Sequence, residues 1–349
     1  MVRDRIQPDR IPFPWRRLAI AMVAAAFATT ACGGQAATPS ATAVATSGRS
    51  IPSTTVPAST AAGSSPAVSP AAVPGGLLAY GRFSPTGTHV FTANTDGTDE
   101  HALLPSIAEG PRFSPDGRRI AVATEDPQGL LFLALVNPDG SGYRRFPRPD
   151  PTLALGCGVW SPDASRLACE GWDDGNPARN GIYTVRASDG GGVTRVTTSP
   201  GGGHDLVGAY SPDGRLIVFV RGLHVDDEQN ALMVVNADGT DPRVLTGRTV
   251  SLASRWSPDG KTILTESGGS LLLVPVDGAP VSAIRINGGF AVKASRGAWS
   301  PEGTWIVFSR LTSTGEDIYI MRSDGTNLHQ ITDTPGVDEE FGEWGVRAP

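Results

Sequence analysis

Residues 77–98 read LLAYGRFSPTGTHVFTANTDGT, and inside them RFSPTG (82–87) resembles a first copy of RFSPDG (112–117). Aligned on the proline, the earlier copy has no apolar strand where later ones do, such as LIVFV at 216–220. Aligned on Asp96-Gly97, residues 77–98 lie without a gap over WIVFSRLTSTGEDIYIMRSDGT at 305–326. Residues 77–80 are therefore the second strand of their unit and 90–93 the third, with Ser84-Pro85 in the loop between them. The first unit lacks its own first strand. At the far end, TPGVDEEFGEWG (334–345) places Trp344 where every unit has an aromatic, so residues 341–346 are expected to pair with 77–80 and close the fold.

The true repeat starts at Phe113-Ser114-Pro115-Asp116-Gly117. It recurs at Trp160 to Ala164, Tyr210 to Gly214, Trp256 to Gly260 and Trp299 to Gly303, with prolines 47, 50, 46 and 43 residues apart. Each copy precedes a β-rich run, then a second run that ends in an Asp-Gly turn. Six such turns, at Asp96, Asp139, Asp189, Asp238, Asp277 and Asp324, count six units. Four short strands per unit is the arithmetic of a propeller blade, so the fold class is all-β: a six-bladed β-propeller of four-stranded blades. Ser-Pro-Asp-Gly suits a hairpin, with Pro fixing φ, Asp accepting local N–H groups and Gly taking positive φ. Ala164 replaces that glycine in the third blade and should be strained by about 1 kcal/mol unless the turn relaxes.

This W-S-P-D-G, strand, N-A-D-G-T pattern resembles the TolB-like propeller repeat, also called the PD or WD-like repeat, over residues 75–349. The resemblance implies a fold shared by protein-interaction platforms, substrate-gating domains of peptidases and lyases. Function must therefore be sought in the site.

Residues 1–31 read as an export signal. Five arginines precede an 11-residue apolar run at 18–28, too short to span a bilayer. Thr29-Thr30-Ala31-Cys32-Gly33 resembles a bacterial lipobox, which implies a lipidated Cys32 as mature N-terminus; the other reading is secretion with a free thiol. From 33 to 74, 31 of 42 residues are Ala, Ser, Thr or Pro, and Arg49 is the only charge. That composition suits a disordered tether. Residues 32–74 are thus lipidated Cys and tether, and 75–349 the propeller.

Cys157 and Cys169 flank the 160–163 turn symmetrically, on adjacent antiparallel strands. They are either a cross-strand disulfide or two buried thiols. No metal-ligand, nucleophile-elbow or phosphate-loop motif is present, and no cofactor is expected. Removing the leader takes the net charge from −6 to −9, which argues against nucleic acid as a partner.

The irregular loops, second-to-third strand and blade-crossing, share one face. They bring together the candidate partner-binding residues: Trp172, read as an exposed aromatic, Asp173, Asp174, His204, Asp205, Asp226, Asp227, Glu339 and Glu340. His204-Asp205 and Glu339-Glu340 hold equivalent positions ahead of innermost strands, so they could converge at the channel mouth. The expected function is a monomeric, lipid-anchored platform for a protein or peptide at the cell envelope. The alternative is a lyase or hydrolase using the channel.

Overall fold

Hydrogen-bonded turns repeat along the chain and set where each strand begins. The computed structural model describes residues 73–347, except 85–86, 127–130, 149, 223–229, 248–249, 251–252, 288 and 291–292. In the Ser-Pro-Asp-Gly turns, the Ser114 hydroxyl donates to Asp116 Oδ1 at 2.6 Å and the Arg118 amide donates to the same oxygen at 3.1 Å. The Arg119 amide donates back to Ser114 Oγ at 3.0 Å. The same set of bonds recurs around Asp213 and Asp259. Gly117, Gly214, Gly260 and Gly303 take φ between 69° and 74°, and Ala164 takes 55°, so the third turn keeps the strained geometry instead of relaxing.

Six four-stranded antiparallel sheets follow. Blade 2 comprises Ala108–Phe113, Ile120–Glu125, Leu131–Val136 and Arg144–Arg145; blade 3, Ala154–Trp160, Arg166–Trp172, Gly181–Arg186 and Thr194–Arg195. Blade 4 comprises His204–Tyr210, Leu216–Gly222, Ala231–Asn236 and Arg243–Thr246; blade 5, Arg255–Trp256, Thr262–Ser267, Ser270–Pro275 and Ser282–Ala283. Blade 6 comprises Ala294–Trp299, Trp305–Leu311, Glu316–Arg322 and His329–Gln330. Each first strand touches the first strands of both neighbouring blades, so these six line the axis.

Blade 1 is built from both ends of the ring. Its order is Glu339–Gly345, Leu77–Ser84, Gly87–Asn94, His101–Ala102. Leu77 faces Gly345, Leu78 faces Trp344 and Arg82 faces Glu339, which is the closure expected from the alignment, two residues longer at its start. Ser84 ends one strand and Gly87 opens the next, so RFSPTG sits at a second-to-third hairpin and is not a copy of the RFSPDG turn. Two short 3-10 turns, Pro177–Arg179 and Pro200–Gly202, and a ribbon of Arg285–Ile286 with Gly289–Phe290 are local additions that no repeat pattern encodes.

The core is a set of seams. One apolar cluster fills each blade-to-blade interface: Leu78, Tyr80 and Trp344 of blade 1 meet Trp305, Val307 and Ile318 of blade 6, and Trp160 and Leu167 of blade 3 meet Leu133 and Leu135 of blade 2. The turns continue this contact outward. A Cβ on Gly260 would lie 3.6 Å from Pro212 of the preceding blade, and one on Gly303 would lie 3.3 Å from Pro258, so in blades 4 to 6 the repeat's glycine rests on its neighbour's proline, whereas Gly117 rests on Val346.

Two outcomes are expected. Deleting residues 341–349 removes the buried Trp344 and bares the edge of residues 77–79. It should lower the melting temperature by at least about 10 °C or abolish cooperative melting; a truncated chain that melts like the whole one would contradict the closure. Ala164→Gly should raise stability by about 0.5–1 kcal/mol by relieving the left-handed strain, read from chemical denaturation.

Candidate functional site

On each innermost strand, the residue before the repeat's aromatic holds one equivalent place: Arg112, Val159, Ala209, Arg255, Ala298 and Glu343. The aromatic turns back into the seam with the preceding blade, as when Trp160 Nε1 donates to the Arg112 carbonyl at 3.1 Å. Its neighbour points the opposite way. Three of these six positions are charged, and the structure brings those three together. Arg112 Nε lies 3.2 Å and Arg255 Nε 3.1 Å from the same oxygen, Glu343 Oε1. Blades 2 and 5 stand opposite one another in a ring of six, so the triad spans the axis.

Supporting bonds hold the triad in place. Arg255 Nη1 donates to the Gly208 and Ser254 carbonyls at 3.1 Å each, and Arg112 Nη1 donates to the Pro111 carbonyl at 2.9 Å. A Cβ on Gly158 would come within 3.0 Å of the Arg112 side chain, so the bulge in blade 3's first strand makes room for that arginine. Burial pushes the Arg112 pKa down to about 10, helped by Arg255 and opposed by Glu343 and Glu170.

Glu170 is the fourth member. It extends from blade 3's second strand, with its carboxylate beside Gly156 of the first strand and the ring of Trp172 over the same glycine. Burial pushes its pKa up to about 8, against the pull of Arg112 and of the Val207 amide. A second cluster lies between blades 5, 6 and 1. Arg296, at φ 53°, pairs with Glu340 and is flanked by Glu266 and Glu316, and Ser295 Oγ donates to Glu316 at 2.6 Å.

The residues singled out from sequence separate into different environments. Trp172 is only 9% exposed, which corrects its reading as an exposed aromatic: its ring covers Gly156. Asp173 is buried too, accepting from the Gly175 and Asn176 amides at 3.0 Å each and from Arg179 at 2.8 Å. Asp205 receives both Nε and Nη2 of Arg221 at 2.7 Å, plus the Thr197 hydroxyl. Glu339 is fully buried and accepts from Arg82 Nε at 2.7 Å, while Glu340 belongs to the Arg296 pair.

The expected convergence of His204-Asp205 with Glu339-Glu340 is thus replaced by separate ion pairs: Asp205 and Glu339 each bond within their own blade, and Glu340 reaches across to blade 6. His204 is half-buried near Asp174 and Asp205, and burial lowers its pKa despite both carboxylates. Asp174 is exposed. Cys157 stands directly opposite Cys169 in the strand register. Asp226, Asp227 and Cys32 lie outside the described residues.

Ring, turns and seams together define a six-bladed propeller whose axis is crossed by an Arg–Glu–Arg bridge. Residues 53–279 match the TolB beta propeller domain (PD40), and the chain belongs to that family. It is 24% identical to an uncharacterized protein of Agrobacterium fabrum over 247 residues, covering 69% of this chain and 61% of that one. It is 29% identical to YuxL, an uncharacterized peptidase of Bacillus subtilis, covering 64% of this chain and 33% of that one. The chain therefore spans under two thirds of either relative's length. The crystal structure of TolB from Acinetobacter baumannii shares the fold with a TM-score of 0.61 at 18% identity, covering 78% of this chain and 67% of that one.

Two tests follow from the centre. Glu343→Ala leaves two largely buried guanidinium groups without their shared carboxylate and should cost about 3–5 kcal/mol in denaturant unfolding. Glu170 holds its proton in the folded state up to about pH 8 but loses it near the ordinary glutamate value when unfolded. The folded state then binds more protons between these limits, so stability falls as pH rises from about 5 to 8. The melting temperature of wild type should decline over that range, and Glu170→Gln should flatten the decline.

Proposed function

We propose that this chain is an exported, lipid-anchored platform that binds a protein or peptide at the cell envelope. The observation that carries the reading is the use made of the central charges: Arg112, Arg255 and Glu343 bind one another across the axis, and Arg296 binds Glu340. Groups committed to bracing a ring leave recognition to the irregular loops, a division common in rigid scaffolds. Family membership agrees with a scaffold role. The described chain begins at blade 1, where the Pro74 carbonyl accepts from Thr95 Oγ1 at 2.8 Å and Val73 packs beside the Leu78 and Trp344 cluster.

A second reading, a lyase or hydrolase, is favoured by one feature. Glu170, protonated near neutrality beside Arg112, has the character of a general acid. Its half-buried position on a β-strand, beside the same glycine that the Trp172 ring covers, weighs against that use.

Metabolic labelling with a lipid analogue tests the anchor: wild type should incorporate label and Cys32→Ala should not, and equal labelling would overturn it. The register of Cys157 and Cys169 supports a disulfide in the exported protein, so neither cysteine should take up an alkylating agent before reduction. Native-envelope capture with the anchored chain as bait tests the platform. Combined alanine substitution of Asp174, Asp226 and Asp227 should weaken capture about tenfold or more, while changes in the Asp-Gly turns of the other face should leave it intact.

A further inference from the structure

The platform reading leaves open where a partner inserts. Between blades 2 and 3 lies a groove of about 280 Å³ whose walls are mainly apolar: Leu131, Phe132 and Phe146 on one side, Leu153, Tyr183 and Val193 on the other. It is large enough for one or two side chains rather than a folded element. Val193 is 37% exposed at its outer lip. At one end, Arg179 pairs with Asp150 and with Asp173 of the irregular loop, so the groove opens beside the face already assigned to recognition.

The charges at the rim are mostly basic, and the one lining acid, Asp150, is paired with Arg179. Residues 143–148 read YRRFPR. Arg144 reaches across to the Ala187 and Ser188 carbonyls of blade 3 and fixes the groove's width. Arg145, an exposed residue, lies over the Phe132 ring, its guanidinium carbon 4.1 Å from the centroid. Arg148 lines the groove; its Nη2 donates to the Pro151 carbonyl at 3.0 Å, but its Nε–H is buried with no acceptor. No carboxylate among the described residues pairs with Arg148, and an incoming one would add a charge-assisted bond to its guanidinium. The nearby acids are already committed: Asp150 to Arg179 and Asp189 to Arg186.

We infer that the groove between blades 2 and 3 receives a partner's peptide segment that pairs an apolar side chain with an acidic one. The apolar side chain fills the space between Phe146 and Tyr183, and the carboxylate meets Arg148 and Arg145. This rests on the platform reading and adds the site and the chemistry of what enters it.

The test uses the mature chain and two fluorescein-labelled decapeptides, one alternating Glu with Leu and Phe, the other with Lys in place of Glu, read by anisotropy. The acidic peptide should bind at least about tenfold more tightly than the lysine peptide, and Arg148→Glu and Val193→Asp should each weaken it about tenfold or more. Val193 is exposed, so its variant should fold even if Arg148→Glu does not. Equal binding of the two peptides, or acidic-peptide binding unmoved by both variants, overturns the assignment. Anionic lipid vesicles bound in an Arg148-dependent way, with neither peptide bound, overturn the peptide occupant. Should the peptides fail while envelope capture still depends on the loop face, the groove falls and the platform stands. Failure of both removes both.

Discussion

A blade of this ring cannot bury its own apolar faces. Each sheet gives one face to the blade before it and the other to the blade after, so every seam is complete only when the circle is. The constraint therefore falls on the single place where the circle is not continuous chain, the pairing of Glu339–Gly345 with Leu77–Ser84. Trp344 packs in the seam between blades 6 and 1, next to the strand it joins. The same strand carries Glu343, the carboxylate on which Arg112 and Arg255 meet. Closure and central bracing are thus two effects of seven residues.

The repeat pattern was legible because turns are local. Ser114, Asp116 and Gly117 lie within four positions of one another and satisfy each other, so their chemistry is visible in a short window. Ala164 could be picked out as strained for the same reason. The offset between RFSPTG and RFSPDG was settled by the gapless alignment with the last blade, and the register agrees.

The site was less legible because its contacts are not local. Arg82 and Glu339 are 257 residues apart, and Arg255 and Glu343 are 88 apart. Nothing in the spacing of Asp173 distinguishes a solvated loop carboxylate from one that caps a turn and holds Arg179. Trp172 looked exposed because it borders a polar loop, yet as the last residue of a strand it turns inward over Gly156. A signal did exist: the residue before each repeat's aromatic is Arg, Val, Ala, Arg, Ala and Glu in turn. Charges at an innermost position need partners, and the opposite signs at that place foretell a contact across the axis.

The closing strand is also made after every other strand of the ring. Until it arrives, blade 1 is a three-stranded sheet with an open edge, and the seam with blade 6 lacks Trp344. Closure of the ring therefore waits for residues 339–345 rather than being spread along the chain. A chain cut short anywhere upstream of residue 339 cannot close, so an intact ring certifies that every blade upstream of the closing strand is present.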